Sequence, residues 1–339
     1  MERCASKTFF VIRWRRVLFA MDIMKFLAAV IVSLSILFAM KPVEAADTAG
    51  VAAADKTESI DLTVGAMQRH YILYAPAHLA PNAPLLLAFH PSGSTGAKMR
   101  QMSSAILERI ARERGFAIAY PDGFEGHFND CRRMASFSAH THNIDDVGLA
   151  RAIVADVGQR VGSDAQRVYA LGYSNGGHMA MRLSLEAPDL IAGAIVIAAN
   201  LPVEENTDCP IVEGRKLSMI FINGMDDPIN PYDGGDVTIF GTTDRGDVRS
   251  AVDSALWYAR RYGLEELPES LPDLEVRGLA ARWRDWGMGT PTIRLITIAG
   301  GGHTIPQAKF DFPAALMLGK TFRSDLPLES AFDALGLVE

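Results

Sequence analysis

The stretch 168–178 constrains the fold of this chain more than any other. It reads Val-Tyr-Ala-Leu-Gly-Tyr-Ser-Asn-Gly-Gly-His, which is an apolar strand, the pattern G-x-S-x-G and then the start of a helix. This order is typical of a nucleophile elbow, where a serine sits on a sharp strand-to-helix turn between glycines that relieve the crowding. We therefore expect Ser174 to be a nucleophile. The alternative is an ordinary strand–turn–helix with an incidental serine.

Apolar runs and helical periodicity alternate along the rest of the chain. The runs predict strands at 59–64, 67–74, 85–90, 116–120, 168–173, 194–197, 218–223 and 293–298, and the periodicity predicts helices at 103–114, 145–161, from 179 onward, 248–262 and 328–335. The first two strands form an antiparallel hairpin. The remaining alternation predicts an α/β fold with a mostly parallel central sheet and helices on both faces. In such sheets the site lies at the carboxyl ends of the strands.

The first 45 residues differ from the remainder. They start with a basic segment, continue with an apolar run over 26–40 and end in small residues at Ala45. This order predicts a signal peptide over 1–45, cleaved near Ala45, before a single catalytic domain over 46–339. Fifteen apolar residues are few for a spanning helix, which needs about 20, although an uncleaved anchor is the alternative. The starting methionine could be Met1, Met21 or Met24.

Removal of that segment would leave 26 basic and 37 acidic residues, and so a net charge of about −11. Such a surface does not suit nucleic acid. We expect a protein secreted to the periplasm or the medium, with no nucleic-acid partner and no stable membrane association after signal cleavage. The sequence does not determine its oligomeric state.

Two of the three cysteines, Cys131 and Cys209, lie in the predicted mature chain. Export places them in an oxidising compartment, where pairing is favoured. We predict a Cys131–Cys209 disulfide, with two separate buried thiols as the alternative. There is no short Cys-x-x-Cys spacing, and we expect no metal site.

A serine hydroxyl needs a general base, usually a histidine that a buried carboxylate orients. Asp226 and Asp227 follow the strand 218–223, and His303 follows the strand 293–298 on a run of three glycines. The order Ser174, Asp227, His303 is that of the α/β-hydrolase fold. We prefer Asp227 because the following proline holds it extended. The alternative acid is Asp226. The alternative interpretation of His303 is an ordinary histidine on a surface loop.

The tetrahedral intermediate of acyl transfer needs two hydrogen-bond donors. The first is expected to be the backbone N–H of Asn175, which directly follows the nucleophile. The second should come from the loop after the strand 85–90, where Pro91 has no N–H to donate. Ser92 is therefore the first candidate and Gly93 the second, and an ordinary turn is the alternative.

From Thr63 onward the chain resembles the polyhydroxybutyrate depolymerase and feruloyl/acetylxylan esterase family of secreted α/β hydrolases. The matching motifs are Tyr120-Pro121-Asp122-Gly123, Phe128-Asn129-Asp130, Asp145-Asp146-Val147-Gly148, Gly172-Tyr173-Ser174-Asn175-Gly176-Gly177, Asp227-Pro228 with Pro231-Tyr232, and Gly301-Gly302-His303-Thr304 with Pro306. The resemblance implies Ser174 as nucleophile, Asp227 as orienting acid, His303 as general base, and no cofactor. The chain departs from the family at Pro91, usually glycine, and at Ile305, usually a tryptophan beside the substrate cleft.

Together these features predict a secreted serine carboxylic-ester hydrolase that works through an acyl-enzyme. By resemblance, its substrates would be hydroxyalkanoate oligomers or the feruloyl and acetyl esters of plant polysaccharides. Two alternatives remain. A serine peptidase of the same fold would usually carry a propeller or cap domain, and a silent binding module would usually lack a triad member.

Overall fold

The computed structural model describes residues 54–239, 241–242, 245–268, 271–313 and 317–337. The predicted signal peptide over 1–45 lies outside the described residues. Within the described ranges, no helix is both long enough and apolar enough to cross a membrane.

The described residues contain twelve strands. They are β1 Lys56–Val64, β2 Met67–Ala75, β3 Leu85–Phe89, β4 Ala117–Pro121, β5 Val168–Tyr173, β6 Gly193–Ile197, β7 Ser218–Gly224, β8 Gly235–Asp236, β9 Asp247–Val248, β10 Leu274–Val276, β11 Leu279–Trp286 and β12 Ile293–Ala299. The helices are α1 Gly96–Arg114, α2 Ser138–Thr141, α3 Asp146–Val161, α4 Asn175–Glu186, α5 Ala251–Tyr262 and α6 Leu326–Leu335, with a 3₁₀ turn at Glu204–Asn206.

Ten of these strands form one sheet in the order β1-β2-β4-β3-β5-β6-β7-β12-β11-β10, and β8 and β9 form a separate short ladder. The six strands from β4 to β12 in that order run parallel. Antiparallel strands flank them on both sides, β1 and β2 at one edge and β10 and β11 at the other. The predicted fold, an α/β hydrolase with a mostly parallel sheet, is confirmed.

Helices cover both faces of the sheet. On one face α3, α4 and α5 contribute to a buried cluster that also contains Leu85, Leu87 and Phe89 of β3. On the other face α1 and α6 contribute to a second buried cluster, which contains Leu86 and Ala88. Successive side chains of β3 thus enter different halves of the core, which is why this strand is an unbroken apolar run.

Some element boundaries differ from the sequence prediction. Helix α1 begins at Gly96 rather than Ser103, because the Thr95 side chain accepts the Lys98 N–H and caps an earlier, polar turn. Helix α5 begins at Ala251 because Ser250 caps it in the same way. The β10–β11 hairpin was not predicted. In its inner strand β11, which pairs with β12, the buried residues Leu279, Ala281 and Trp283 alternate with more exposed ones.

Candidate active site

Ser174 occupies a strained turn between β5 and α4. Its backbone angles are φ 57° and ψ −119°, a left-handed conformation that is costly for a residue with a side chain. Its N–H donates to the Ile197 carbonyl at 2.9 Å, which anchors the turn to β6. A Cβ on Gly172 would overlap the Gly176 carbonyl, and a Cβ on Gly176 would overlap the Phe89 carbonyl. The backbone therefore closes around the serine only because both positions are glycine.

The structure brings His303 to Asp227 and not to Asp226. The His303 Nδ1 lies 2.7 Å from the Asp227 Oδ2, and both side chains are buried. The other carboxylate oxygen of Asp227 accepts the N–H groups of Ile229 and Asn230 at 2.8 and 2.9 Å. Because an ionised carboxylate only accepts hydrogen bonds, the proton lies on Nδ1 and leaves Nε2 of His303 as the free base. Asp226 is exposed.

Distant segments hold the loop that carries His303. Its N–H donates to the Leu318 carbonyl at 2.6 Å, and the Gly302 N–H donates to the Lys320 carbonyl at 2.9 Å. The Tyr173 hydroxyl donates to the His303 carbonyl at 2.6 Å, and the two rings lie 5.3 Å apart. Sequence reasoning missed Tyr173, because its motif position indicates a place beside the nucleophile but not a partner 130 residues away.

Asn175 is the first residue of α4, where a backbone N–H has no acceptor in a preceding helical turn. Its side chain is fixed on a neighbouring loop: Oδ1 accepts the Phe128 N–H at 2.8 Å, and Nδ2 donates to the Phe128 carbonyl and to the Asp130 carboxylate at 3.0 and 2.7 Å. Burial raises the pKa of Asp130, but the adjacent Arg132 outweighs it and lowers that pKa to about 2. This buried ion pair keeps the acceptor charged and Asn175 in place.

Of the two backbone N–H groups expected to supply the second oxyanion donor, those of Ser92 and Gly93 in the loop after β3, only one is free of an acceptor among the described residues. The Gly93 N–H is used, since it donates to the Gly126 carbonyl at 2.9 Å. The Ser92 N–H has no acceptor among the described residues, and Ser92 lines the cavity described below. Of the two residues weighed from the sequence, the geometry leaves Ser92.

His90 fixes the shape of this loop. Its Nε2 accepts the Gly123 N–H at 2.8 Å, so the ring proton lies on Nδ1, which donates to the Pro91 carbonyl at 2.8 Å. Burial lowers the pKa of His90 to about 4, and the ring therefore stays neutral near pH 7. Sequence reasoning did not identify this role.

A cavity of about 660 Å³ opens between these elements. Ser174, His303 and the loop residues Ser92 and Gly93 form one side of it. The apolar part of its wall comprises Pro91, Met102, Tyr173, Ile229, Ile239, Phe310, Phe312, Pro313 and Leu318. The cavity can thus hold an apolar group next to a nucleophile and a base.

The predicted Cys131–Cys209 disulfide is present. Cys131 lies beside Asp130, and its carbonyl accepts the Asp208 N–H at 2.9 Å. The bond therefore ties the loop that holds the Asn175 side chain to the segment around Cys209. Ile305, where the resembling family has tryptophan, is buried in the core on the α1–α6 side of the sheet.

Across the described residues, no group of three or more His, Cys, Asp or Glu side chains is arranged to hold a metal ion.

Comparison with known proteins gives the class of this one. No family model matches the chain. A protein of Nocardia uniformis subsp. tsuyamanensis named "Putative esterase NocK" is 29% identical over 295 residues, which are 82% of each chain. Feruloyl esterase B of Thermothelomyces thermophilus is 32% identical over 126 residues, 36% of this chain and 42% of that one. Acetyl xylan esterase from Aspergillus awamori has the same fold, with a TM-score of 0.50 and 15% identity over 74% of this chain and 95% of that one.

These findings confirm the resemblance that the motifs predicted. The chain is an enzyme of the α/β-hydrolase fold and of the carboxylic-ester-hydrolase class, with feruloyl and acetylxylan esterases among the proteins it is similar to.

Proposed function

We propose that the protein is a serine esterase in which Ser174, His303 and Asp227 form the catalytic triad. One observation carries this proposal. The serine of the strained elbow lines the same cavity as His303, and the Asp227 carboxylate lies 2.7 Å from the far nitrogen of that histidine. This is the arrangement in which a base can take the serine proton while a buried carboxylate stabilises the resulting imidazolium.

The reaction has two halves. The Ser174 Oγ attacks the ester carbonyl carbon while its proton passes to the His303 Nε2. The tetrahedral intermediate then collapses, the bond to the alcohol oxygen breaks, and His303 returns the proton to the departing alcohol. Water attacks the acyl-enzyme through the same two steps and releases the acid. Asp227 keeps the Nδ1–H tautomer throughout.

Two backbone amides, those of Asn175 and Ser92, stabilise the oxyanion in this proposal. The Asn175 side chain is held at three hydrogen bonds, so its main chain cannot turn away when charge develops. A donor that is fixed in advance costs no reorganisation during the reaction, and loss of one such donor lowers kcat by about 10²–10³-fold in serine hydrolases.

The cavity favours an acyl group larger than acetyl. Its volume of about 660 Å³ and its apolar wall suit a feruloyl group or a hydroxybutyryl oligomer. The similarity to feruloyl esterase B supports the first of these. We further propose export by a signal peptide over 1–45 and a single domain over 46–339, and the disulfide fits an oxidising compartment.

Initial rates of hydrolysis of methyl ferulate, hydroxybutyrate oligomers and acetylated xylan test this function, with Ser174→Ala as the blank. We expect methyl ferulate or the oligomers to be hydrolysed faster than acetylated xylan, and all rates to fall to the uncatalysed level in the variant. A fluorophosphonate probe should label the wild type and not Ser174→Ala. Turnover that survives the substitution would contradict the assigned nucleophile.

A further inference from the structure

We propose that a cleft on the outer side of α5 is a second binding site, which takes the carboxylate of an acidic oligosaccharide. The cleft has a volume of about 530 Å³. Its wall is formed by Val203, Arg249, Asp253, Trp257, Arg260 and Arg261. None of these residues lines the cavity that holds Ser174. The proposal therefore goes beyond the esterase function and does not depend on it.

Two arginines of the cleft have no partner among the residues that the structure describes. Nearly every arginine side chain in the described ranges makes an ion pair, a hydrogen bond or a ring contact. In the described part of the chain, three arginine side chains make no such contact: Arg249, Arg260 and Arg277. The first two line this cleft. A guanidinium carries five N–H donors, so two unpartnered ones in one cleft offer a strong site for an oxyanion.

The third arginine adds to the positive charge. Arg261 lies over the Trp257 ring, 5.5 Å from its centroid, and pairs at 3.1 Å with Glu213, whose side chain is 93% exposed. Water weakens such an exposed pair. The Asp253 carboxylate accepts the Ser250 hydroxyl at 2.7 Å in the cap of α5. Cations thus outnumber acids in this cleft, although the whole chain has a net charge of −7.

The backbone fixes these positions. Asp253, Trp257, Arg260 and Arg261 are spaced by three or four residues along α5 and therefore share one face of the helix. The Arg249 N–H donates to the Leu201 carbonyl at 2.7 Å, just before the helix begins. The backbone positions of the three arginines are therefore fixed before any ligand binds.

The wall indicates which anion fits. A guanidinium pairs equally well with a carboxylate or a phosphate, so charge alone does not choose between them. The indole of Trp257 adds an apolar surface, which suits a ligand that carries a ring next to its charge. A uronic acid unit of a polysaccharide has both a C–H-lined ring and a carboxylate, whereas inorganic phosphate has only the charge.

Isothermal titration calorimetry of the purified protein tests the site. The probes are a xylo-oligosaccharide substituted with glucuronic acid, a neutral xylo-oligosaccharide of the same length, and inorganic phosphate. The test variant combines Arg249→Gln with Arg260→Gln. Arg277→Gln is the matched control, because it removes an exposed and equally unpartnered arginine outside the cleft. Titrations in the Ser174→Ala background separate binding from hydrolysis.

We expect the acidic oligosaccharide to bind, the double substitution to weaken it by tenfold or more, and Arg277→Gln to leave it unchanged. Hydrolysis of a small soluble ester should be unchanged in the double variant, which also shows that the variant is folded. The proposal would be overturned if the double variant bound the acidic oligosaccharide as tightly as the wild type, or if Arg277→Gln weakened binding as much as the double substitution. It would also be overturned if the protein bound phosphate in place of the uronate, or bound neither probe.

Discussion

The elbow that carries Ser174 and the loop that carries His303 are held in place by different means. The elbow depends on close backbone packing, since Gly172 and Gly176 leave room for the Gly176 and Phe89 carbonyls, which a side chain at either position would overlap. The histidine loop depends on distant partners, namely Asp227, Tyr173 and the carbonyls of Leu318 and Lys320.

This difference has a physical consequence. Backbone packing determines the conformation of the elbow. One methyl group added at either glycine should therefore disturb it, whereas few substitutions elsewhere should. Separate hydrogen bonds hold the histidine loop, and each can be removed by its own substitution. We expect each removal to lower the rate by a different amount. Substitutions in the two regions should therefore separate effects on folding from effects on turnover.

Asp227→Asn should have the largest effect. An asparagine of similar size removes the charge that stabilises the imidazolium and can donate to Nδ1, which moves the ring proton to Nε2 and blocks the base. We expect kcat/KM at neutral pH to fall by about 10³–10⁴-fold. The matched control is Asp226→Asn, which changes the exposed neighbour and should stay within about twofold of the wild type, since surface changes are mild. A larger loss in the control would reverse the assignment of the acid.

Gly176→Ala should come next, and its effect should be on folding. The added Cβ would overlap the Phe89 carbonyl, and neither backbone segment can move without disturbing the elbow. We expect the free energy of unfolding to fall by about 3 kcal/mol. Gly158→Ala in α3 is the control, because its Cβ would have only an ordinary contact at 3.7 Å. That change should be neutral or stabilise by up to about 1 kcal/mol.

Urea denaturation of both glycine variants measures this contrast. If Gly176→Ala proved as stable as the wild type, the close approach of the elbow to β3 would be wrong.

The third prediction concerns pH and the loop after β3. Burial lowers the pKa of His90 to about 4 from 6.5. Between those two values the unfolded chain binds the proton and the folded one does not. The contribution of neutral His90 to the free energy of unfolding is therefore fully present above about pH 6.5. It is lost as the pH falls towards 4, and the loss amounts to about 3 kcal/mol in total.

The difference between wild type and His90→Gln isolates this effect from other titrating groups. Glutamine can still accept the Gly123 N–H but does not titrate, so the gap between the two unfolding free energies should change by about 3 kcal/mol between pH 7 and pH 4. Parallel pH profiles for the two proteins would contradict the buried, neutral state of His90.

Sequence reasoning succeeded where consecutive residues determine structure. The β1–β2 hairpin, the cap of α3 by Asp145 and the β5–elbow–α4 unit follow from local patterns, and the structure has all three. It was less successful where partners are far apart. The described residues between 300 and 325 (300–313 and 317–325) form no helix or strand, so no periodicity indicated that Leu318 and Lys320 would accept hydrogen bonds from the histidine loop.

Side-chain roles were missed for the same reason. The motif placed Asn175 next to the nucleophile, but its three side-chain hydrogen bonds depend on Phe128 and Asp130, which lie 47 and 45 residues earlier in the chain. The sequence places His90 between the strand and the loop that carries Ser92, but it does not show that the His90 ring shapes that loop.

Tyr173→Phe should have the smallest effect and tests the link between the two regions. Burial raises the pKa of the Tyr173 hydroxyl, which therefore stays protonated and donates to the His303 carbonyl. The substitution leaves that buried carbonyl without its donor, at a cost of about 1–3 kcal/mol. If the lost hydrogen bond lets His303 move out of position, the activation barrier should rise by about 1.4 kcal/mol. We then expect kcat to fall by about tenfold with KM little changed, because about 1.4 kcal/mol is one factor of ten in rate.

Tyr169→Phe is the matched control for this last prediction. Tyr169 lies on the same face of β5, but its hydroxyl makes only a long, 3.4 Å contact to the Gly336 carbonyl at the other end of the strand. Both variants lose one hydroxyl from one strand, so a general weakening of β5 would lower their stability and their rates alike. A fall in kcat confined to Tyr173→Phe would show that the strand before the elbow also positions the base, and that the two regions are coupled through a single hydrogen bond.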